Sequence, residues 1–307
     1  MDCLETRTLV LMGILIDPPL WPAHGTFFSH LVSDTSLAEL HDFAAVQGLP
    51  QRAFDRDHYD VPRERYAQLV ADGALEVTAN ELVKALISSG LRVPAKYRPE
   101  KLNVILARRW ARTMPPEPAL GRQLLSLWSQ EHRHYHDRVH LLSTLEAIDW
   151  LSKGLVNGQE LMLLQLAAWF HDAVYEATAE DEAKSAILAR ERLNGILSEE
   201  AVAKVSQLIL LTAGHNPQES DKLGRIFCDA DLEVLARPAP AYQRYADAIY
   251  CEYAHYAKTD LAKGRIRILG SLLDKPAIYS TERGAERWEA AARANLSAEI
   301  DLLKTWL

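Results

Sequence analysis

The chain has 307 residues, 48% of them hydrophobic and 25% charged, which is ordinary globular composition with room for about two domains of 100–200 residues. The net charge of −8 argues against a general polyanion-binding surface, so long nucleic acid is not an expected partner, while a local basic pocket for one nucleotide stays compatible. Three scattered cysteines, Cys3, Cys228 and Cys251, cannot build a disulfide framework and fit a reduced cytoplasm.

Leu9 to Ile16 is a short apolar run preceded by Asp2 and Glu5 and followed by Asp17-Pro18-Pro19. A signal core wants a basic start, so the run reads as a buried strand. Pro18 to Pro22 must be extended, because proline and its predecessor avoid helix. Ser36 is placed to cap a helix reaching Gln47. Arg52 to Phe54 is a strand candidate, Pro62 to Asp72 a helix with proline in its first turn, and Leu75 to Val77 another strand. Asn80 is the expected cap of a helix ending near Gly90. This alternation predicts a small α/β domain over residues 1–93 with a partly parallel sheet. Within it Asp17, His24, Asp34 and Asp57 are candidates for a metal or phosphate site, Asp17 lying at a strand's carboxyl end. Turn chemistry, in which such side chains serve local backbone donors, is the competing explanation.

Arg92 to Glu100 carries two prolines and four charges, and a linker is expected at 94–101. Residues 102–307 read as almost wholly helical, with helices near 104–112, 120–130, 135–150, 159–175, 181–197, 199–212, 221–235, 239–256, 259–273 and 281–307. No run approaches the ~20 apolar residues of a bilayer span.

The chemistry concentrates in two stretches of this half. Arg133 to His140 holds three histidines, with His136 and His140 four apart and so expected on one helix face. The apolar run Leu161 to Phe170 ends in His171-Asp172, 31 positions after His140, which fits two antiparallel helices facing each other. A further acidic pair, Asp229-Ala230-Asp231, follows another apolar segment. Imidazole nitrogen and carboxylate oxygen without cysteine suit a divalent cation such as Mn, Fe, Co, Ni, Zn or Mg.

The order His140, His171-Asp172, Asp231 on a helical background resembles the HD superfamily of metal-dependent phosphohydrolases. More closely it is similar to a bacterial HD subgroup described as predicted phosphohydrolases, through RHYHDRVH, LAAWFHDAVYE, DEAKSA, LLTAGH, CDADLEVL, EYAHY, GRIRIL and IYST. The similarity covers roughly the last two-thirds of the chain. It implies an all-α HD-domain helical bundle with His140, His171, Asp172 and Asp231 as ligands of one divalent ion. Asp231 is preferred because the superfamily uses the second Asp of the pair, which leaves Asp229 to orient a ligand or a helix. Leu232 stands where the family often carries Lys or Arg, so one phosphate contact is lost. Asp172, Glu182 and His215 are the implied catalytic residues. Glu182 would position the attacking water or bond His171, and His215 would be a general acid, a second-metal ligand or a helix-end residue. Arg133, His136, Lys222, Arg265 and Tyr253 are the implied substrate contacts, each with a structural alternative in a salt bridge or core packing. Residues 14–93 resemble a small bacterial domain of unknown function (DUF4031-like) through DPPLWPAHG, SHLVSDTS, ELHDFA and FDRDHYDVP, which implies no activity.

The expectation is therefore a cytoplasmic hydrolase cleaving a phosphate ester or anhydride of a nucleotide or related small metabolite, with no membrane partner and compatible with a homo-oligomer. Two rivals stand beside it: a di-iron oxygenase of the HD type, and a nucleotide-binding regulatory module without turnover.

Overall fold

The computed structural model describes residues 13–307, so Cys3 and the first part of the Leu9–Ile16 run lie outside the described residues. The chain divides into two compact units, Met1–Pro94 and Ala95–Leu307.

In the smaller unit one sheet is built on its longest strand. Strands β1 (Ile14–Ile16), β2 (Trp21–Ala23), β3 (Thr26–Ser33), β4 (Tyr59–Pro62) and β5 (Leu75–Glu76) make it up. β1 and β2 follow one another antiparallel along β3, with Ile14 opposite Ser33 and Trp21 opposite Phe28. β4 pairs antiparallel with β3, placing His30 opposite Asp60. β5 joins β1 in parallel. Helices α1 (Leu37–Val46), α2 (Arg63–Ala71) and α3 (Ala79–Ser88) complete the unit. Because side chains alternate along a strand, Ile14, Ile16 and Leu31 pack with Leu40 and Leu69, while Leu15 and Val32 pack with Leu82 and Leu86.

Several local expectations change here. Residues Gln51–Ala53 form a 3-10 turn where a strand was expected. α3 is capped by Thr78, whose side chain and that of Glu81 serve each other's backbone N–H, so Asn80 lies inside the helix. β3 and β4 were not foreseen, because their polar and aromatic residues show no clean alternation.

The larger unit is helical: α4 (Pro99–Thr113), α5 (Pro118–Leu127), α6 (Arg138–Ser152), α7 (Gly158–Phe170), α8 (Asp181–Leu193), α9 (Glu199–Leu211), α10 (Lys222–Asp231), α11 (Ala239–Glu252), α12 (Lys258–Leu273) and α13 (Glu282–Lys304). The two units divide after Pro94, at the start of the expected linker 94–101. A 3-10 turn at Ala95–Tyr97 leads straight into α4, whose first residue is Pro99. α7 is the central helix, with Leu163, Leu164 and every residue from Leu166 to Phe170 buried, as a helix apolar on all sides must be. It packs against α6, α9 and α10, and α6 packs against α10. Among the described residues no helix is long and apolar enough to cross a membrane.

Candidate metal centre

Three of these mutually packed helices meet at their ends. Asp137 caps α6 by accepting from the N–H groups of Val139 and His140, which puts His140 in the helix's first turn. His171 is the C-cap of α7 and Asp172 follows it. Asp231 is the last residue of α10. Antiparallel packing of α6 and α7 brings their adjoining ends together, and His140 Nε2 lies 3.1 Å from His171 Nε2. Asp172 Oδ2 lies 3.0 Å from His171 Nε2 and 3.6 Å from His140 Nε2. Asp231 Oδ1 lies 3.2 and 3.1 Å from the same two nitrogens. His140, His171 and Asp172 form a buried donor cluster of the kind that holds a metal ion.

The protons favour a cation at this point. His171 Nδ1 is 2.9 Å from the Ala168 carbonyl, which accepts its hydrogen and turns Nε2 inward. Tyr135 Oη occupies His140 Nδ1 at 2.9 Å. Asp231 Oδ1 is buried and has no hydrogen-bond partner, even though both imidazoles are near it. Donors bound to one ion at about 2.0–2.2 Å sit about 3.0–3.6 Å apart, which is the spacing seen. Burial disfavours charge on His171, but the Asp172 and Asp231 carboxylates overcome it and hold the imidazole's pKa well above its ordinary value. The same pairing overcomes burial at Asp172 and Asp231 and depresses both carboxyls. Such a set, with each outer nitrogen already held by a carbonyl or hydroxyl, matches the way proteins orient metal-bound histidines.

The surroundings fix this geometry. Trp128 is fully buried, donates its indole N–H to the Trp169 carbonyl and lies 5.4 Å from the His171 ring. His215 Nε2 is 2.8 Å from Asp231 Oδ2 and turns Oδ1 toward the imidazoles. His215 itself has φ +50, a left-handed conformation that is strained for any residue but glycine. Glu182, in the first turn of α8, is lifted above its ordinary pKa by burial and by the nearby charges of Asp172 and Asp181. It does not bond His171, whose Nδ1 is taken by Ala168. Asp229 is fully buried and accepts from Ser280 N, Thr281 N and Thr281 Oγ1, so it ties α10 to the start of α13.

The expected substrate contacts are mostly drawn elsewhere. Arg133 is buried, donates to the carbonyls of His136, Asp172 and Ala173, and so clamps the chain just after the His-Asp pair. His136 lies before α6 rather than on it, and its Nδ1 pairs with Glu252 Oε2 at 2.7 Å. Lys222 pairs with Glu160 at 2.8 Å at the opening turns of α10 and α7. His171 and Asp231 sit at the far ends of those helices, ~14 Å or more away at 1.5 Å per residue. Arg265 is committed to Glu299 at 2.8 Å and to Tyr245 Oη at 2.9 Å. Tyr253, the C-cap of α11, is bonded to Tyr175. The residue sequence reasoning undervalued is Glu252. It is buried and gathers the N–H groups of His134, Tyr135 and His136, the His136 ring and the Tyr175 hydroxyl. Its only sequence signal was its place in EYAHY. A cavity of about 280 Å³ lined by Tyr97, Trp150, Glu233, Arg237, Arg287 and Trp288 includes none of the metal-site residues.

In the smaller unit the four candidates do not converge. His24 sits in the β2–β3 turn with φ +48. Asp34 accepts from Gly13 N and Thr35 Oγ1, as turn chemistry dictates. Asp17 and Asp57, both buried, each hold a different histidine: His30 Nδ1 at 3.0 Å and His58 Nδ1 at 2.6 Å. Burial opposes charge on His58, but Asp57 and Asp60 overcome it and push its pKa up to about 9.

Residues 14–89 match the family model described as "Protein of unknown function (DUF4031)", and this segment is a DUF4031 domain. The chain matches no curated protein and no solved structure.

Proposed function

We propose that the helical unit is a metal-dependent phosphohydrolase of the HD type, acting on a phosphate ester or anhydride of a nucleotide or related small metabolite. The observation that carries this is the inward-facing set His140, His171, Asp172 and Asp231, with Asp231 Oδ1 buried and lacking a hydrogen. A divalent ion held there supplies Lewis acidity, making a bound water acidic at neutral pH and offsetting phosphoryl charge. His215 positions Asp231, Arg133 and Trp128 hold His171-Asp172 in place, and Glu182, its pKa raised, is suited to exchange a proton with attacking water or leaving group. The commitment of His136 to Glu252 favours one ion over two, and with it hydrolysis over di-iron oxygen chemistry. Because Arg133, Lys222 and Arg265 are all engaged with protein groups, phosphate recognition falls chiefly to the cation.

The test is metal analysis of the purified chain followed by a nucleotide and phosphoester screen in Mn, Co, Ni and Mg. One equivalent of metal in the helical unit and metal-dependent release of phosphate are expected, both lost in His171→Ala. Unchanged turnover in His171→Ala would refute the assignment.

A further inference from the structure

The DUF4031 unit carries a second set of donors that none of the foregoing uses. Strand geometry assembles it. Residues two apart on a strand share a face, which aligns His58, at the entry to β4, with Asp60. The β3–β4 register puts His30 directly across from Asp60, at the cross-strand distance where side chains interact. The His30 and His58 rings lie 5.0 Å apart at 73°, and His58 Nε2 is 3.6 Å from Asp60 Oδ1. One donor atom from each of His30, His58 and Asp60 can be chosen so that all three lie within 4.8 Å of one another.

Each imidazole is oriented by its own buried carboxylate. Asp17, 1% exposed, takes His30 Nδ1 while also accepting from His30 N and Trp21 Nε1. Asp57, 3% exposed, takes His58 Nδ1 while accepting from Val93 N. With both Nδ1 atoms committed, Nε2 is the remaining ligand atom of each ring. Carboxylate-oriented histidines of this kind are the usual support of protein-bound transition metals. Two carboxylates serving two rings that face a third carboxylate are more than the pairing of β3 with β4 requires. Asp60 is the open side, its side chain 49% exposed against 9% for His58.

We propose that His30, His58 and Asp60 bind one first-row divalent transition-metal ion, with Asp17 and Asp57 as positioning residues. Two imidazoles and one carboxylate suit zinc or ferrous iron and disfavour calcium and magnesium, which take oxygen ligands. Three protein ligands leave a coordination position for water or a small anionic ligand, as in metal sites that do chemistry rather than brace a fold.

The experiment uses the full chain, stripped with chelator, equilibrated with buffered Zn²⁺ and assayed for zinc per chain. His30→Gln lowers the zinc content by one equivalent, whatever the helical unit binds, and Asp60→Asn weakens binding at the same site by at least about tenfold. His171→Ala leaves this equivalent in place, so failure of the phosphohydrolase assignment and failure of this one give different patterns. Cobalt substitution adds a second readout: a visible d–d band present in the wild type and in His171→Ala, and diminished in Asp60→Asn. Zinc stoichiometry and affinity unchanged in both His30→Gln and Asp60→Asn would overturn the proposal. Asp60→Asn decides the matter if His30→Gln does not fold.

Discussion

Arg133 shows how a residue's type and its task separate. In the sequence it is a cation beside histidines, and a phosphate contact is the natural expectation. In the fold it is buried, and its donors are spent on backbone carbonyls around the His171-Asp172 turn. Arg133→Ala leaves those acceptors buried and unpaired, so a loss of about 2–4 kcal/mol is expected in urea denaturation. Arg133→Lys recovers little of it, because an ammonium cannot reproduce the fork. Glu252 gives a pH prediction. Burial opposes its charge, but the His136 ring and the backbone donors hold its pKa down to about 2. A depressed carboxylate stabilises the fold fully above its unfolded pKa and loses that contribution as pH falls through the folded value. Wild-type stability should therefore drop between about pH 4.5 and pH 2 by on the order of 3 kcal/mol more than that of Glu252→Gln, measured as denaturation midpoints against pH. His140, His171, Asp172 and Asp231 were legible because their residue types and order carry the chemistry. Glu252 was not, because its contacts span more than 100 positions and nothing local marks them.

At the scale of elements, helices were the readable part. The apolar run before His171 announces a helix buried on all sides, while the starts expected near 104 and 120 fall inside α4 and α5, which begin at Pro99 and Pro118. The strands β3 and β4 were opaque because what stabilises them is pairing, with His30, Asp60 and their neighbours chosen for cross-strand contact rather than alternation. Helix ends were misjudged where side chains set them, as at Asp137, whose cap puts His136 outside α6. Close helix packing adds a further test. A Cβ on Gly121 of α5 would run into the Trp110 ring on α4. Gly121→Ala should destabilise by about 1–3 kcal/mol through overpacking despite alanine's better helix propensity, as read from thermal melts.

For the whole molecule, the largest expected response is to metal. The proposed ligands come from three helices of the larger unit, so an ion that binds only the folded state would stabilise the packing of α6, α7 and α10 together. At a hundredfold excess over Kd the gain is about 2.7 kcal/mol. A calorimetric transition of the helical unit that rises with added Mn²⁺ or Co²⁺ in the wild type, and stays fixed in His171→Ala, is the expected result. The division into a mixed sheet unit and a helical unit was readable from the change in periodicity. The division falls after Pro94, at the start of the segment read as a linker, and the rest of that segment holds a 3-10 turn and the first residues of α4.

One neighbour of the donor set makes occupancy visible. The Trp128 indole, sealed from solvent, lies 5.4 Å from the His171 ring and 6.2 Å from that of His140. At such range a paramagnetic ion drains the excited state of the indole before it can emit. Cobalt held by the helical unit should thus dim the protein's ultraviolet fluorescence, and His171→Ala and Trp128→Phe should each remove that share of the dimming, whatever a second ion at His30 does to Trp21, 5.3 Å from that ring.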